Sequence, residues 1–139
     1  MAMRKFRLQR VLDVRKIIER EKEKELSVAA MKLKREQDAL AGIIEKKDGF
    51  VNQMNDARAN RAGRLADYHG YLDTLLSAIF EQRKVIHATT MQVEIKRRNL
   101  LQATQDRKVL DKLKEKKHQE WLVEENRKEQ EFLDELARR

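Results

Sequence analysis

The chain has 139 residues, 40% of them charged and 5% aromatic, with no proline, no cysteine and four glycines. So few aromatics and turn formers exclude a compact enzyme fold around a large core, and the missing cysteines exclude disulfides, thiol chemistry and iron–sulfur clusters. A total of 32 Lys and Arg against 24 Asp and Glu leaves a net charge of +8, which calls for acidic partners without choosing among protein, nucleic acid and lipid headgroups.

The chain is rich in Ala, Leu, Glu, Lys, Gln and Arg, all strong helix formers, and 40% of its residues are hydrophobic and recur periodically, which argues against disorder. A first helix is predicted over about 4–59. It opens with a broad apolar face of Leu8, Val11, Leu12, Val14, Ile17 and Ile18. Residues 19–25 then contain no apolar member, so this stretch is either solvated helix or a weak point in pairing. Leu26, Leu33, Leu40 and Met54 follow at heptad spacing with Lys47 interrupting, and Ala30, Ile44 and Val51 interleave with Gln37 as a polar member.

A turn is predicted at about 57–63. Asn60 can cap a helix, Gly63 is a mild breaker, and the step from Met54 to Leu65 falls out of heptad phase. The second helix, about 62–136, has the cleaner pattern. Leu65, Leu72, Ile79, Ile86, Val93 and Leu100 recur every seventh residue. Tyr68, Leu75, Gln82, Thr89, Lys96, Ala103 and Leu110 form the layer between, and the phase reaches Trp121. At about 1.5 Å per residue this helix is more than 100 Å long.

One uninterrupted helix is the competing reading, but its whole seam would lack a cover. A hairpin covers it internally. The expected fold is therefore all-α: a single domain over 1–139 forming a long two-helix antiparallel coiled-coil hairpin. Folding near residue 60 sets Leu8 opposite about 115. The C-terminal helix then overhangs the N-terminus beyond about 118, carrying Trp121, Leu122, Val123, Phe132, Leu133 and Leu136 without an internal partner.

Four dispersed glycines make no phosphate loop. His69, His87 and His118 are too scattered for a zinc site, and a hairpin offers no cleft in which to desolvate a carboxylate pair. No enzymatic activity, cofactor or metal is expected. The basic runs at 96–98 and 112–117 match no DNA-reading motif, so specific nucleic-acid binding is not expected. No apolar run is long enough for a membrane span, and no apolar block follows the basic start as in a secretory signal, so a cytoplasmic location is expected. Phe50, Tyr71 and Phe80 fall off the seam. They read either as peripheral packing or as an exposed docking patch.

The opening Lys5-Phe-Arg-Leu-Gln-Arg-Val-Leu-Asp-Val-Arg15 and the block Asp67-Tyr-His-Gly-Tyr-Leu-Asp-Thr-Leu-Leu-Ser-Ala-Ile79 resemble the FliJ family of flagellar type III export proteins. The resemblance covers nearly the whole chain, including the hairpin midpoint and the overhang. It implies a non-enzymatic component of the flagellar export apparatus at the inner membrane. Such a protein is similar to the central stalk of a rotary ATPase, seated in the export ATPase ring, coupling it to the membrane export gate and assisting export chaperones. It also implies a gate-facing surface of Ile43 and Phe50 on the first helix with Tyr71, Leu75, Ala78 and Gln82 on the second. Lys46, Ala39 and Gln82 depart from the family pattern there.

Residues 1–24 carry nine basic and four acidic side chains, and 107–117 are also basic. A carboxylate-lined ring would offset the repulsion between them. This makes Arg7, Arg10, Arg15 and Lys112 electrostatic candidates for ring binding, and Phe6, Leu8 and Trp121 apolar ones. Trp121 has a plainer alternative, packing against the first turns of helix one. Two other roles fit the same sequence: the equivalent stalk of a virulence type III secretion system, and a passive coiled-coil scaffold.

Overall fold

The computed structural model describes residues 5–57 and 65–139. The predicted turn, with Asn60 and Gly63, lies almost wholly outside them. Two helices account for nearly all the rest: α1, Gln9–Ala57, and α2, Leu65–Arg138. A short turn leads into α1, where the Gln9 amide donates to the Phe6 carbonyl (3.0 Å) and the Leu12 amide to the Leu8 carbonyl (2.9 Å). No proline interrupts either helix. Asp67 in the first turn of α2 and Arg138 in its last complement the helix dipole.

Contacts divide the chain into two units, Met1–Glu23 with Arg98–Arg139, and Lys24–Arg97. The helices pair antiparallel in each, because partners on α2 fall in number from one end of α1's stretch to the other. In the first unit Phe6 and Leu8 share a groove with Leu113 and His118, while further along Arg15 meets Asp106 and Glu19 meets Arg107. In the second, Glu25 meets Lys96, Glu36 meets Gln82, and Phe50 meets Tyr68 and Tyr71. The chain is an all-α helical hairpin, as its heptads predict.

The inward positions of α2 follow the predicted layers. Leu72, Ile79, Ile86, Val93 and Leu100 alternate with Tyr68, Leu75, Gln82, Thr89, Lys96, Ala103 and Leu110, and every one is buried or half-buried. On α1 the heptad of Leu26, Leu33, Leu40, Lys47 and Met54 also faces inward, but the layer between differs from expectation. It consists of Ala29, Glu36, Ile43 and Phe50, while Ala30 and Gln37 are exposed and Ile44 and Val51 flank it half-buried. Phe50 is thus a seam residue rather than a neighbour of the seam. A spacing of three and one of four after each leucine both suit a helix face, and choosing by apolarity favoured the wrong one where the true layer holds a glutamate.

The polar stretch at 19–25 is neither frayed nor simply solvated. Glu19, Lys22 and Glu25 continue the inward phase half-buried, and Glu19 and Glu25 reach across to Arg107 and Lys96. In each unit the seam exchanges apolar contacts for an ion pair at this stretch. Two helices enclose little volume, and Leu12 is the one fully buried large side chain among the described residues. Leu75, Ile79, Val93 and Ala103 are buried around the edge of that limit.

The pairing sets a distance that can be measured. Spin labels on the exposed positions Arg10 and Lys112 are expected to report a short separation in dilute protein. A single continuous helix would put them about 150 Å apart. Dilution with unlabelled protein removes any intermolecular contribution.

Candidate functional site

At the end of the first unit, a groove opens between the turn into α1 and α2, with Phe6, Leu8 and Leu113 among its lining residues. Lys5, Arg7, Lys114, Lys117 and His118 surround this apolar floor. Arg10 and Lys112 are exposed nearby, whereas Arg15 is half-buried and holds Asp106 at 2.9 Å. Arg107 pairs with Glu19 across the seam and with Asp111 one turn along its own helix. Its side-chain hydrogen bonds to those two carboxylates, Glu19 first, raise its pKa above the ordinary arginine value. Arg107 therefore stays charged at every pH the fold meets.

Trp121 is half-buried, and its ring stacks on His118 of the same helix at 5.9 Å and 21°. Of the ring-binding candidates, then, Phe6 and Leu8 line the groove, Trp121 is half-buried against His118, Arg7, Arg10 and Lys112 are exposed, and Arg15 is already paired.

Beyond Trp121 every residue to the end of the chain is exposed, including Leu122, Val123, Phe132, Leu133 and Leu136. No described residue packs on this segment, as expected of an overhang. Its own ion pairs stiffen it: Arg127 with Glu124 and Glu131, and Arg139 with Glu135. The hydrogen bond from Arg127 holds the Glu124 carboxyl below the usual carboxylate range. A lowered carboxylate pKa means the stabilisation is complete above the ordinary value and is lost as pH falls through the lowered one.

In the second unit an aromatic cluster gathers the gate-facing candidates. The Phe50 ring lies 4.6 Å from Tyr71, edge-on at 72°, and 5.6 Å from Tyr68. Tyr71 is 48% exposed, while Leu75 is only 7% exposed and belongs to the seam. Ile43 and Ala78 are half-buried. The Gln82 amide donates to the Glu36 backbone carbonyl at 2.9 Å, so its side chain is committed to the interhelical contact. The structure brings the rings of Phe50 and Tyr71 together, Tyr71 exposed and Phe50 half-buried, and buries Leu75.

Leu76 and Phe80 are exposed on α2 near this cluster in sequence, with the Lys84 ammonium 4.6 Å from the Phe80 ring centre. Sequence reading found Phe80 because it leaves the heptad. Leu76 leaves it too but was hidden by its buried neighbour Leu75. Among the described residues, no cluster of His, Cys, Asp or Glu is placed to hold a metal, and no helix is long and apolar enough to cross a membrane.

The family model described as Flagellar FliJ protein matches residues 3–139. No curated protein and no solved structure matches the chain. The match takes in both helices, the basic groove and the exposed end of α2 together, so the hairpin belongs to the FliJ family, whose members are non-enzymatic components of the flagellar protein export apparatus.

Proposed function

We propose that this chain is a single hairpin domain acting as the stalk-like partner of the flagellar export ATPase ring, coupling that ring to the membrane export gate and assisting export chaperones. The observation that carries the reading is the free end of α2, which continues past the basic groove with its apolar side chains uncovered. A helix of this kind is built to enter something. The ring-facing residues are Phe6, Arg7, Leu8, Arg10, Arg15, Lys112 and Trp121. The gate-facing residues are Ile43, Phe50, Tyr71, Leu75, Ala78 and Gln82. In this role the chain binds and positions, and all nucleotide chemistry belongs to the ring. Its place is peripheral, at the cytoplasmic side of the inner-membrane apparatus.

The test compares three forms on the export ATPase of the same organism: the native chain, a charge-reversed Arg7→Glu/Arg10→Glu/Lys112→Glu form, and a Phe50→Ala/Tyr71→Ala form. ATPase stimulation is expected to fall selectively in the charge-reversed form and to weaken with salt. The Phe50→Ala/Tyr71→Ala form is expected to stimulate normally and to lose affinity for the gate by about 1–3 kcal/mol. Equal stimulation and equal salt dependence in all three sinks the ring assignment. Equal gate affinity sinks the gate assignment.

A further inference from the structure

A basic segment at one end of this chain and an acidic one at the other each include an exposed apolar helix face. Residues 1–24 carry nine basic and four acidic side chains, and residues 120–135 carry seven acidic and two basic ones. On the outer face of α1, Val11, Val14 and Ile17 are 42%, 53% and 53% exposed, with Arg7 and Arg10 one turn before them. Phe132, Leu133 and Leu136 are likewise exposed on the overhang, with Glu129 one turn and Glu125 two turns before Phe132.

The ion pairs within the chain sharpen this match. Arg127 takes Glu124 and Glu131, Arg139 takes Glu135, and Lys117 takes Glu120. Among the described residues Glu125 and Glu129 have no ion-pair partner, and they share the helix face of Leu122, Phe132, Leu133 and Leu136 at spacings of three and four. Arg7 and Arg10 are also without a partner among the described residues. Two unpaired carboxylates beside an apolar stripe ask for two unpaired cations beside another, and Arg10 in α1 with Arg7 in the turn before it supply them, three residues apart where the carboxylates are four apart.

We propose that two copies of this chain associate, each laying its overhang along the outer face of the other's α1. The register follows from the residues. With the helices parallel and Glu129 beside Arg10, Leu133 falls beside Val14, Leu136 beside Ile17, and Glu125 near Arg7. An antiparallel arrangement with the same ion pair carries Leu133 towards Phe6 and away from the apolar face. Because α1 and α2 of one chain are antiparallel, the two α2 helices run antiparallel as well, as a two-fold axis requires. That axis passes close to residue 120 of each α2, where packing within the chain ends and the overhang begins.

Pairing the two overhangs directly against each other is the competing self-association. It places Glu125 and Glu129 of both copies in one apolar core, four carboxylates with no cation on that face, and like-charge burial opposes it. The dimer proposed here instead meets each carboxylate with an arginine, twice over. It also covers Arg7 and Arg10, so the same surface cannot serve a dimer and a second acidic partner at once.

Sedimentation of the full-length chain at low and high salt tests this. The native protein is expected to dimerise at low salt and to dissociate as salt rises. Arg10→Glu and Glu129→Lys alone are each expected to weaken the dimer roughly tenfold or more, since each change falls twice in a two-fold interface. Combined in one chain, they are expected to restore it. Circular dichroism checks that helix content is unchanged in all three. The chain has no cysteine of its own, so a Val14→Cys/Leu133→Cys form is expected to give a disulfide-linked dimer on mild oxidation, which fixes the parallel register. A monomer at every concentration at low salt overturns the proposal. So does a dimer indifferent to both reversals, or one that strengthens only in acid, as direct pairing of the overhangs would.

Discussion

Leu12→Ala is expected to cost about 2–5 kcal/mol, the range for emptying a buried leucine site, and to do so at one end of the molecule. Leu12 has no exposed surface, and its neighbours in the α1 seam are Leu8, Arg15 and Glu19. The apolar contribution in this part of α1 therefore rests on very few residues. A two-helix seam cannot repack into the space, because no third element stands behind it. Amide exchange should rise through residues 9–23 of α1, and a denaturant melt followed by circular dichroism should show an earlier transition. Val28→Ala is the matched control. Val28 is 68% exposed on the same helix, and such surface changes stay within about 0.5 kcal/mol. Comparable losses in the two variants, or unchanged exchange over 9–23 in Leu12→Ala, would mean that Leu12 does not anchor this end.

The reason one leucine matters so much is also the reason α1 was harder to read than α2. The α2 layers were legible because Leu72, Ile79, Ile86, Val93 and Leu100 fix the phase by apolarity alone, and Gln82, Thr89 and Lys96 could then be assigned by arithmetic. On α1 the same arithmetic had to pass through Glu19, Lys22 and Glu25. Those residues look like solvated helix until their partners are known, and Arg107 and Lys96 are more than seventy residues away in the chain. Once register joins Glu19 to Arg107 and Glu25 to Lys96, the inward phase runs unbroken from Leu12 to Met54 and places Phe50 on the seam. An ion pair across a seam is a property of two helices, so no single-helix pattern could show it.

The candidate surfaces divide in the same way. The overhang followed from lengths: a helix that outlasts its partner must project. The contact between Phe50 and Tyr71 followed only in part, since both residues were singled out but their edge-on geometry depends on the pairing. Leu75 is a seam residue by its heptad and a gate-facing candidate by resemblance, and the structure buries it as the heptad predicts. The unpaired state of Glu125 and Glu129 was not legible at all. It depends on which of several nearby carboxylates Arg127 takes, and side-chain geometry decides that.

Glu36→Leu is expected to raise stability, by about 1–3 kcal/mol. One of its carboxylate oxygens, Oε2, is buried with no hydrogen-bond partner, and it stands in the α1 seam between Leu33 and Leu40. A buried polar atom without a partner carries the desolvation penalty in full, and an apolar side chain at the same site removes it. The denaturation midpoint should shift upward, and a downward shift would show that the carboxylate is satisfied in solution. The substitution leaves the Gln82 contact in place, because Gln82 donates to the backbone carbonyl of residue 36 and not to its side chain. That bond lies within a heptad ladder which could otherwise slip by seven residues and still match leucine with leucine. Polar groups at single seam positions are a known means of fixing register at some cost in stability. Adding Gln82→Leu to Glu36→Leu removes the last directional contact at this level. Spin labels on the exposed residues Arg35 and Arg83 should then give one narrow distance in Glu36→Leu and a broadened or second distance in the double variant. If the double variant keeps the narrow distance, register here is set by packing alone, and the Gln82 hydrogen bond is incidental to it.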